Sequence, residues 1–173
     1  MLVDPLACTL FDTDEKSLKA IKEQLLELNN MAIAGKPDNL VINTHVCRGN
    51  FHSTYASSGA YDGVAQTLLA RENVGAYYLE FDDARSGGFA PLAAVSGDKK
   101  VVLGLVTTKR AQLEDKDAVI ARIHEAEKYL PLDRLCLSPQ CGFASCGIGN
   151  KLTEAEQGAK LALVKEIAEE VCG

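Results

Sequence analysis

Between Asp14 and Ala34, apolar side chains recur at Leu18, Ile21, Leu25, Leu28 and Met31, spacings of three and four that place one stripe along an amphipathic helix. Asp12 with Glu15 three residues on predicts a capping box at its start, and Gly35 followed by Pro37 predicts its stop. The pattern then changes. Leu40-Val41-Ile42-Asn43-Thr44-His45-Val46-Cys47 is short, β-branched and apolar at the outset, which predicts a strand buried on both faces. A second helix is predicted over Tyr61–Glu72 through Val64, Leu68 and Leu69, and further strands over Ala76–Asp82, Val101–Thr107 and Arg134–Ser138. Asp115–Tyr129 reads as a helix with Val119, Ile120, Ile123 and Ala126 on one face and Asp115 or Asp117 near its start to suit the dipole. The last helix opens on a Thr153/Glu156 capping box and runs through Leu161, Val164, Ile167, Ala168 and Val171 to the end.

The predicted order is one helix, then strand and helix repeated four times, although the stretch from Arg85 to Lys100 carries little helical period. Such alternation specifies an α/β fold with a parallel sheet. Four (βα) units fit an open sheet, and they also fit half of a (βα)8 TIM barrel, whose full length is about 250 residues. Leu2-Val3-Asp4-Pro5 reads as the end of a strand whose beginning is missing, which favours the second half of a barrel. No Gly/Ser/Pro-rich linker divides the chain, so residues 1–173 are expected to form a single α/β domain.

Charge narrows the partners. Eighteen basic residues against 24 acidic ones give a formal charge of -6, and the basic residues cluster no further than the pairs Lys99-Lys100 and Lys109-Arg110. Nucleic-acid binding, which needs a basic surface to displace counterions, is excluded on this reading. No apolar run approaches the roughly 20 residues of a membrane span, and Met1-Leu2-Val3-Asp4-Pro5 has no basic region followed by a long apolar core. A soluble cytoplasmic protein is the expectation. In that compartment thiols stay reduced, so the six cysteines at 8, 47, 136, 141, 146 and 172 argue against a disulfide framework and leave some of them available to a metal.

In parallel α/β folds functional groups collect at the carboxyl ends of strands. The first strand ends in His45-Val46-Cys47, the second contains Glu80-Phe81-Asp82-Asp83, and the fourth runs into Gln140-Cys141-Gly142. Residues two apart on a strand share a face, so His45 and Cys47 can meet one centre. An imidazole, two thiolates and a carboxylate suit tetrahedral zinc, whose Lewis acidity would hold an incoming thiol as thiolate. Each signal alone has a plainer reading. His-x-Cys on a strand is unspecific, Glu80 within an apolar strand is equally served by an ion pair with Arg85 or Arg48, and Cys141 fits a tight turn. Cys8, Cys136 and Cys172 read as core filling, Cys146 as a bystander thiol, His124 as part of a solvated helix face and His52 as a loop residue near a substrate or at the surface. Asp82, Asp83 and Arg85 are candidates to orient the ligands.

Taken together, Thr44-His45-Val46-Cys47-Arg48-Gly49-Asn50-Phe51, Tyr78-Leu79-Glu80-Phe81-Asp82-Asp83 and Leu137-Ser138-Pro139-Gln140-Cys141-Gly142-Phe143 resemble the carboxyl-terminal half of cobalamin-independent methionine synthase. The shorter bacterial-type relatives without the duplicated amino-terminal barrel are more similar still, and the resemblance runs from about Asp4 to the end. It implies a (βα)8 barrel with catalytic zinc held by His45, Cys47, Glu80 and Cys141. It also implies transfer of a methyl group from a methylated folate to the homocysteine thiol, giving methionine, with Asp4 as a substrate-contacting residue. The longer enzymes carry a His after the third of these strands as proton donor to the folate. Here that stretch is Leu105-Val106-Thr107-Thr108-Lys109, a lack the shorter relatives share. The first four units of the barrel are absent from the chain, which predicts self-association or a partner polypeptide supplying the other half. A non-catalytic zinc-binding half-barrel, or alkyl transfer to another thiol, would keep the same ligands.

Overall fold

The computed structural model describes Asp4, Cys8, Thr9 and residues 14–173, without the side chain of Cys172. Expectations resting on Leu2, Val3, Pro5 and Asp12 lie outside the described residues. Helix α1 spans Glu15–Ala34, and its N-cap is Asp14, whose Oδ1 accepts the Ser17 N–H at 2.7 Å. Strand β1 is Asn43–Val46, and α2 starts as Asp62–Val64 and continues through a π-helical turn, Ala65–Leu69. Strand β2 is Ala76–Glu80 and β3 is Lys100–Val106. Helix α3, Lys116–Glu127, is capped by Asp115 accepting the Ala118 N–H, and it leads to β4, Leu135–Pro139. Helix α4, Glu154–Cys172, opens on the reciprocal Thr153/Glu156 box expected from the sequence.

All three strand pairs are parallel and the sheet order is β1-β2-β3-β4. A doubly wound open sheet reverses direction at a switch point, whereas here every crossover steps the same way, as it does around a barrel. The fold is therefore the expected half of a (βα)8 barrel. Its helices pack on the face of Tyr77, Leu79, Leu103 and Leu135, where Val119, Ile123, Ala126, Leu163 and Ile167 complete the core. Phe81 sits between Tyr61 and Phe89, with ring centroids 5.2 and 4.7 Å away. Register pairs Glu80 with Gly104, and Gly104 pairs onward with Ser138. A Cβ at Gly104 would lie 2.9 Å from both the Leu79 carbonyl oxygen and the Gln140 Cα, so only glycine lets β4 curve in beside Glu80.

Four expectations need correction. Between β2 and β3 the chain makes two short 3₁₀ turns, Ala84–Ser86 and Ala90–Ala94, and no α-helix, because Gly87, Gly88 and Pro91 interrupt any longer run. Strand β1 is not buried on both faces: Asn43 and His45 are exposed, since β1 forms one edge of the sheet among the described residues. In α1 only Leu26 is buried, and Leu25, Leu28 and Met31 of the apolar stripe are 45%, 59% and 69% exposed. The helix packs through residues offset by one in its second half, so Leu25, Leu28 and Met31 face away from this half's core while Leu18 and Ile21 stay half-buried. Cys136 does not fill core; it is partly exposed in a groove of about 680 Å³ lined by Leu132, Leu135, Leu137 and Val171 beside the other edge strand, β4.

Candidate metal centre

The carboxyl ends of β1, β2 and β4 bring His45, Cys47, Glu80 and Cys141 together, their ligand atoms all within 4.8 Å of one another. Among the described residues no other group of three or more His, Cys, Asp or Glu side chains gathers in this way. Register pairing of His45 with Tyr78 puts His45, and Cys47 two residues on, on the same sheet face as Glu80. The Cys47 and Cys141 Sγ atoms are 3.9 Å apart, Cys141 Sγ is 3.4 Å from His45 Nε2, and Nε2 is 3.5 Å from Glu80 Oε1. His45 Nδ1 lies 3.1 Å from the Tyr78 carbonyl, which can only accept, so Nδ1 carries a proton and Nε2 is the atom turned to the cluster.

Glu80 is fully buried. Its Oε1 accepts the backbone N–H of Arg48 at 3.2 Å, while Oε2 has no hydrogen-bond partner, Arg85 Nη2 standing 3.6 Å away. A buried carboxylate oxygen left without a donor is costly unless something positive meets it. Burial pushes the Glu80 carboxyl up, but His45, the neighbouring Gln140 side chain and the Arg48 amide outweigh it and leave it below the usual range. The Cys141 thiolate and Glu80 together raise His45 to about 11. Burial raises the Cys47 thiol; for Cys141 burial acts the same way, but the His45 contact overcomes it and holds the thiol below its ordinary value. Without metal, His45 at neutral pH is an imidazolium facing the buried Glu80 carboxylate and a protonated Cys47 thiol, with the Cys141 thiol held below its ordinary value beside it.

The family described as "Cobalamin-independent synthase, Catalytic domain" matches residues 14–170. The chain belongs to the cobalamin-independent methionine synthase family. Within it, the chain is 54% identical over 143 residues to "Uncharacterized protein YxjG" of Bacillus subtilis, covering 82% of this chain and 38% of that protein. It is 50% identical over 159 residues to "Uncharacterized protein YxjH" of the same organism, covering 91% and 41%. The chain thus spans about two-fifths of the length of these curated relatives. Among solved structures it is similar to a putative vitamin-B12 independent methionine synthase from Listeria monocytogenes, with TM-score 0.70 and 35% identity over 93% of this chain and 43% of that one. A B12-independent methionine synthase from Shewanella sp. W3-18-1, solved in complex with selenomethionine, shares the fold at TM-score 0.67 and 21% identity, over 84% of this chain and 42% of that one.

Other residues singled out from the sequence of this methionine synthase family member fall elsewhere. Asp4 is buried outside the cluster, and its Oδ2 accepts the Ser58 N–H at 2.9 Å. Cys146 is exposed and separate, and His124 meets Glu127 on the solvated face of α3. Arg85 pairs with Glu80, Asp82 and Asp83, and its guanidinium stacks on Tyr55. These residues border a cleft of about 500 Å³ lined by Ser53, Tyr55, Asp83, Arg85, Thr107 and Lys109. Sequence reasoning missed the larger role of Arg48, only 1% exposed. Its guanidinium donates to the Gly59 and Glu80 carbonyls and to Tyr61 Oη and stacks 4.0 Å from the Tyr61 ring, fixing the end of β2 that carries Glu80. The signal available was an arginine directly after a candidate ligand, which the sequence offers only as a charge.

Proposed function

We propose that this chain is the zinc-binding half of a methyltransferase that moves a methyl group from a methylated folate to the homocysteine thiol, forming methionine. His45, Cys47, Glu80 and Cys141 would hold the zinc. The spacing of the four ligand atoms carries this reading: a tetrahedron with arms of about 2.0–2.3 Å has edges of roughly 3.3–3.8 Å, three of the six separations measure 3.4, 3.5 and 3.9 Å, and all six lie within 4.8 Å. Two thiols and an imidazole disfavour magnesium and calcium, and Glu80 meets the cluster through Oε1 while its Oε2 faces the Arg85 guanidinium. Bound zinc would supply the Lewis acidity that keeps an acceptor thiol ionised at neutral pH.

The chain's own residues do the positioning. The Tyr78 carbonyl fixes the His45 tautomer, the Arg48 amide and the Arg85 guanidinium hold Glu80, and the cleft beside Arg85 and Lys109 offers room for a donor. In the reaction the acceptor sulfur bonds the methyl carbon as the donor's carbon–nitrogen bond breaks. The electron pair of that bond stays on nitrogen, which takes up a proton. The remaining strands of the barrel, from a longer polypeptide, a partner chain or a second copy, would cover the exposed stripe of α1 and the groove beside β4. A cytoplasmic location suits the site because reduced thiols are the form it uses. The chain is taken as a single domain.

The test combines the zinc-loaded chain with a polypeptide carrying the missing strands, supplies homocysteine and a methylated folate, and follows methionine by mass spectrometry. Methionine is the expected product. S-methylation of a different thiol would redirect the acceptor, and an assembled, zinc-loaded barrel that methylates none of a panel of thiols would make this half a non-catalytic zinc-binding unit. Binding should also be steeply pH-dependent. At pH 7 the raised His45 and Cys47 each hold a proton that zinc must displace, whereas the lowered Glu80 is already ionised and the lowered Cys141 gives up its proton more readily than an ordinary thiol. Calorimetry in buffers of different ionisation enthalpy should therefore count at least about two protons released per zinc, and apparent affinity should rise at least about 100-fold per pH unit near neutrality. A pH-independent affinity would contradict this assignment of protons.

A further inference from the structure

Strands β1 and β4 lie at opposite edges of the sheet, so no sheet hydrogen bond connects them, yet the thiols that follow them stand 3.9 Å apart. What closes that gap is a clasp between the loops after the two strands. Asn50, three residues beyond Cys47, donates its Nδ2 to the carbonyl of Gly142, the residue after Cys141, and its own carbonyl accepts the Ser145 hydroxyl. Further out, Ser53 Oγ donates to Asn150 Oδ1 at 2.7 Å and accepts the Lys151 N–H at 3.0 Å. From the end of β3 a third element enters: Lys109 Nζ donates to Asn50 Oδ1 at 2.6 Å and to the Gly49 carbonyl at 3.3 Å. Asn50 thus bonds through its side chain both to the loop of the second thiol and to the segment after β3, which Asn150 also bridges by donating to the Thr108 and Phe143 carbonyls.

We infer that Asn50, oriented by Lys109, is a positioning residue that sets the separation of Cys47 and Cys141 and thereby the affinity of this half for its metal. The inference rests on the reading of the four groups as a metal site. The physical reason is that a side-chain amide offers a donor and an acceptor in a fixed plane. With its oxygen occupied by the Lys109 ammonium, its nitrogen is obliged to point at Gly142, and the two loops cannot drift apart without breaking both bonds. The Ser53 bonds lie at the far ends of the loops, and Thr108 and the Asn150 amide nitrogen brace the Cys141 loop against the segment after β3 without reaching the residues beside Cys47.

The experiment compares the parent chain with Asn50→Asp, Asn50→Ala and Lys109→Met, loading each with cobalt(II) as a spectroscopic probe and measuring zinc affinity by competition with a chromophoric chelator. Asn50→Asp keeps the size and the acceptor for Lys109 but has no donor for Gly142, so it isolates the clasp. Both Asn50 variants should weaken zinc about 10- to 100-fold and shift the visible cobalt bands away from those of the parent, with Lys109→Met intermediate. Their circular dichroism and denaturation midpoints should match the parent's, which a general folding defect would not allow. Affinities within twofold of the parent and unchanged cobalt bands in both Asn50 variants would overturn the inference. A parent that takes up neither metal stoichiometrically would instead overturn the metal reading on which it rests.

Discussion

Cys141→Ser should strip the chain of zinc. Of the two thiols, Cys141 is the one the fold already holds toward its thiolate, through the contact of its Sγ with His45 Nε2. A serine hydroxyl at the same place is a hard, neutral oxygen that stays protonated at neutral pH, so the swap removes both the charge and the soft donor. Zinc bound by four protein ligands is worth about 10–16 kcal/mol, roughly 2.5–4 kcal/mol per ligand, which predicts about two to three decades of lost affinity. Native mass spectrometry after dialysis against a competing chelator should find about one zinc per parent chain and essentially none on Cys141→Ser or Cys47→Ser. Cys146→Ser is the control: that exposed thiol lies outside the cluster, and its loss should leave the zinc count unchanged. Full zinc retention by Cys141→Ser would remove it from the ligand set.

Arg48→Met should be the most damaging substitution to folding among those near the site. Arg48 is a buried cation whose guanidinium is satisfied by neutral carbonyls, a tyrosine hydroxyl and an aromatic face, not by a carboxylate. Methionine matches much of its volume but leaves the Gly59 carbonyl short of a donor and removes two bonds that pin Tyr61 and the end of β2. Hydrogen bonds to charged groups contribute about 1.5–3 kcal/mol each, so a loss of about 3–5 kcal/mol is expected in chemical denaturation, comparable to breaking a buried ion pair. That is a large part of the stability of an ordinary domain. Arg71→Ala, which breaks an exposed pair with Glu23, should cost less than about 1 kcal/mol by the same measurement. Equal effects of the two substitutions would show that Arg48 contributes no more than a surface charge.

Local pattern and tertiary contact divided what could be read in advance. The 153/156 capping box, the apolar run of β3 and the buried face of Val119, Ile123 and Ala126 are set within one turn or one strand, and each is found as expected. Helix α1 was equally legible as a helix, but which of its faces packs depends on neighbours outside its own sequence, and Leu25, Leu28 and Met31 turned outward. For the stretch from Arg85 to Lys100 the lack of period was itself the signal, and the chain there makes 3₁₀ turns. His45, Cys47 and Cys141 were candidates because strand ends gather chemistry and Glu80 because a glutamate inside an apolar strand requires a reason, but the four were singled out together only by the resemblance to the methionine synthase family. The support around them was not legible. Lys109 meets Asn50 across 59 residues and Asn50 meets Gly142 across 92, and loops carry no periodicity from which such meetings could be inferred.

The distance in sequence between the two thiols has a consequence for how the protein acquires its native state. Cys47 and Cys141 are 94 residues apart, and closing a loop of that length costs about 4 kcal/mol beyond a constant before any bond between them forms. The contact is therefore of high order and depends on β1, β2, β3 and β4 already lying side by side, so it belongs to the late stages of folding. Closely spaced cysteine pairs let a metal nucleate its own small fold; here no local segment is pre-shaped to capture one. A metal ion would be taken up by a sheet already assembled, and its uptake rate would then report the final step of folding.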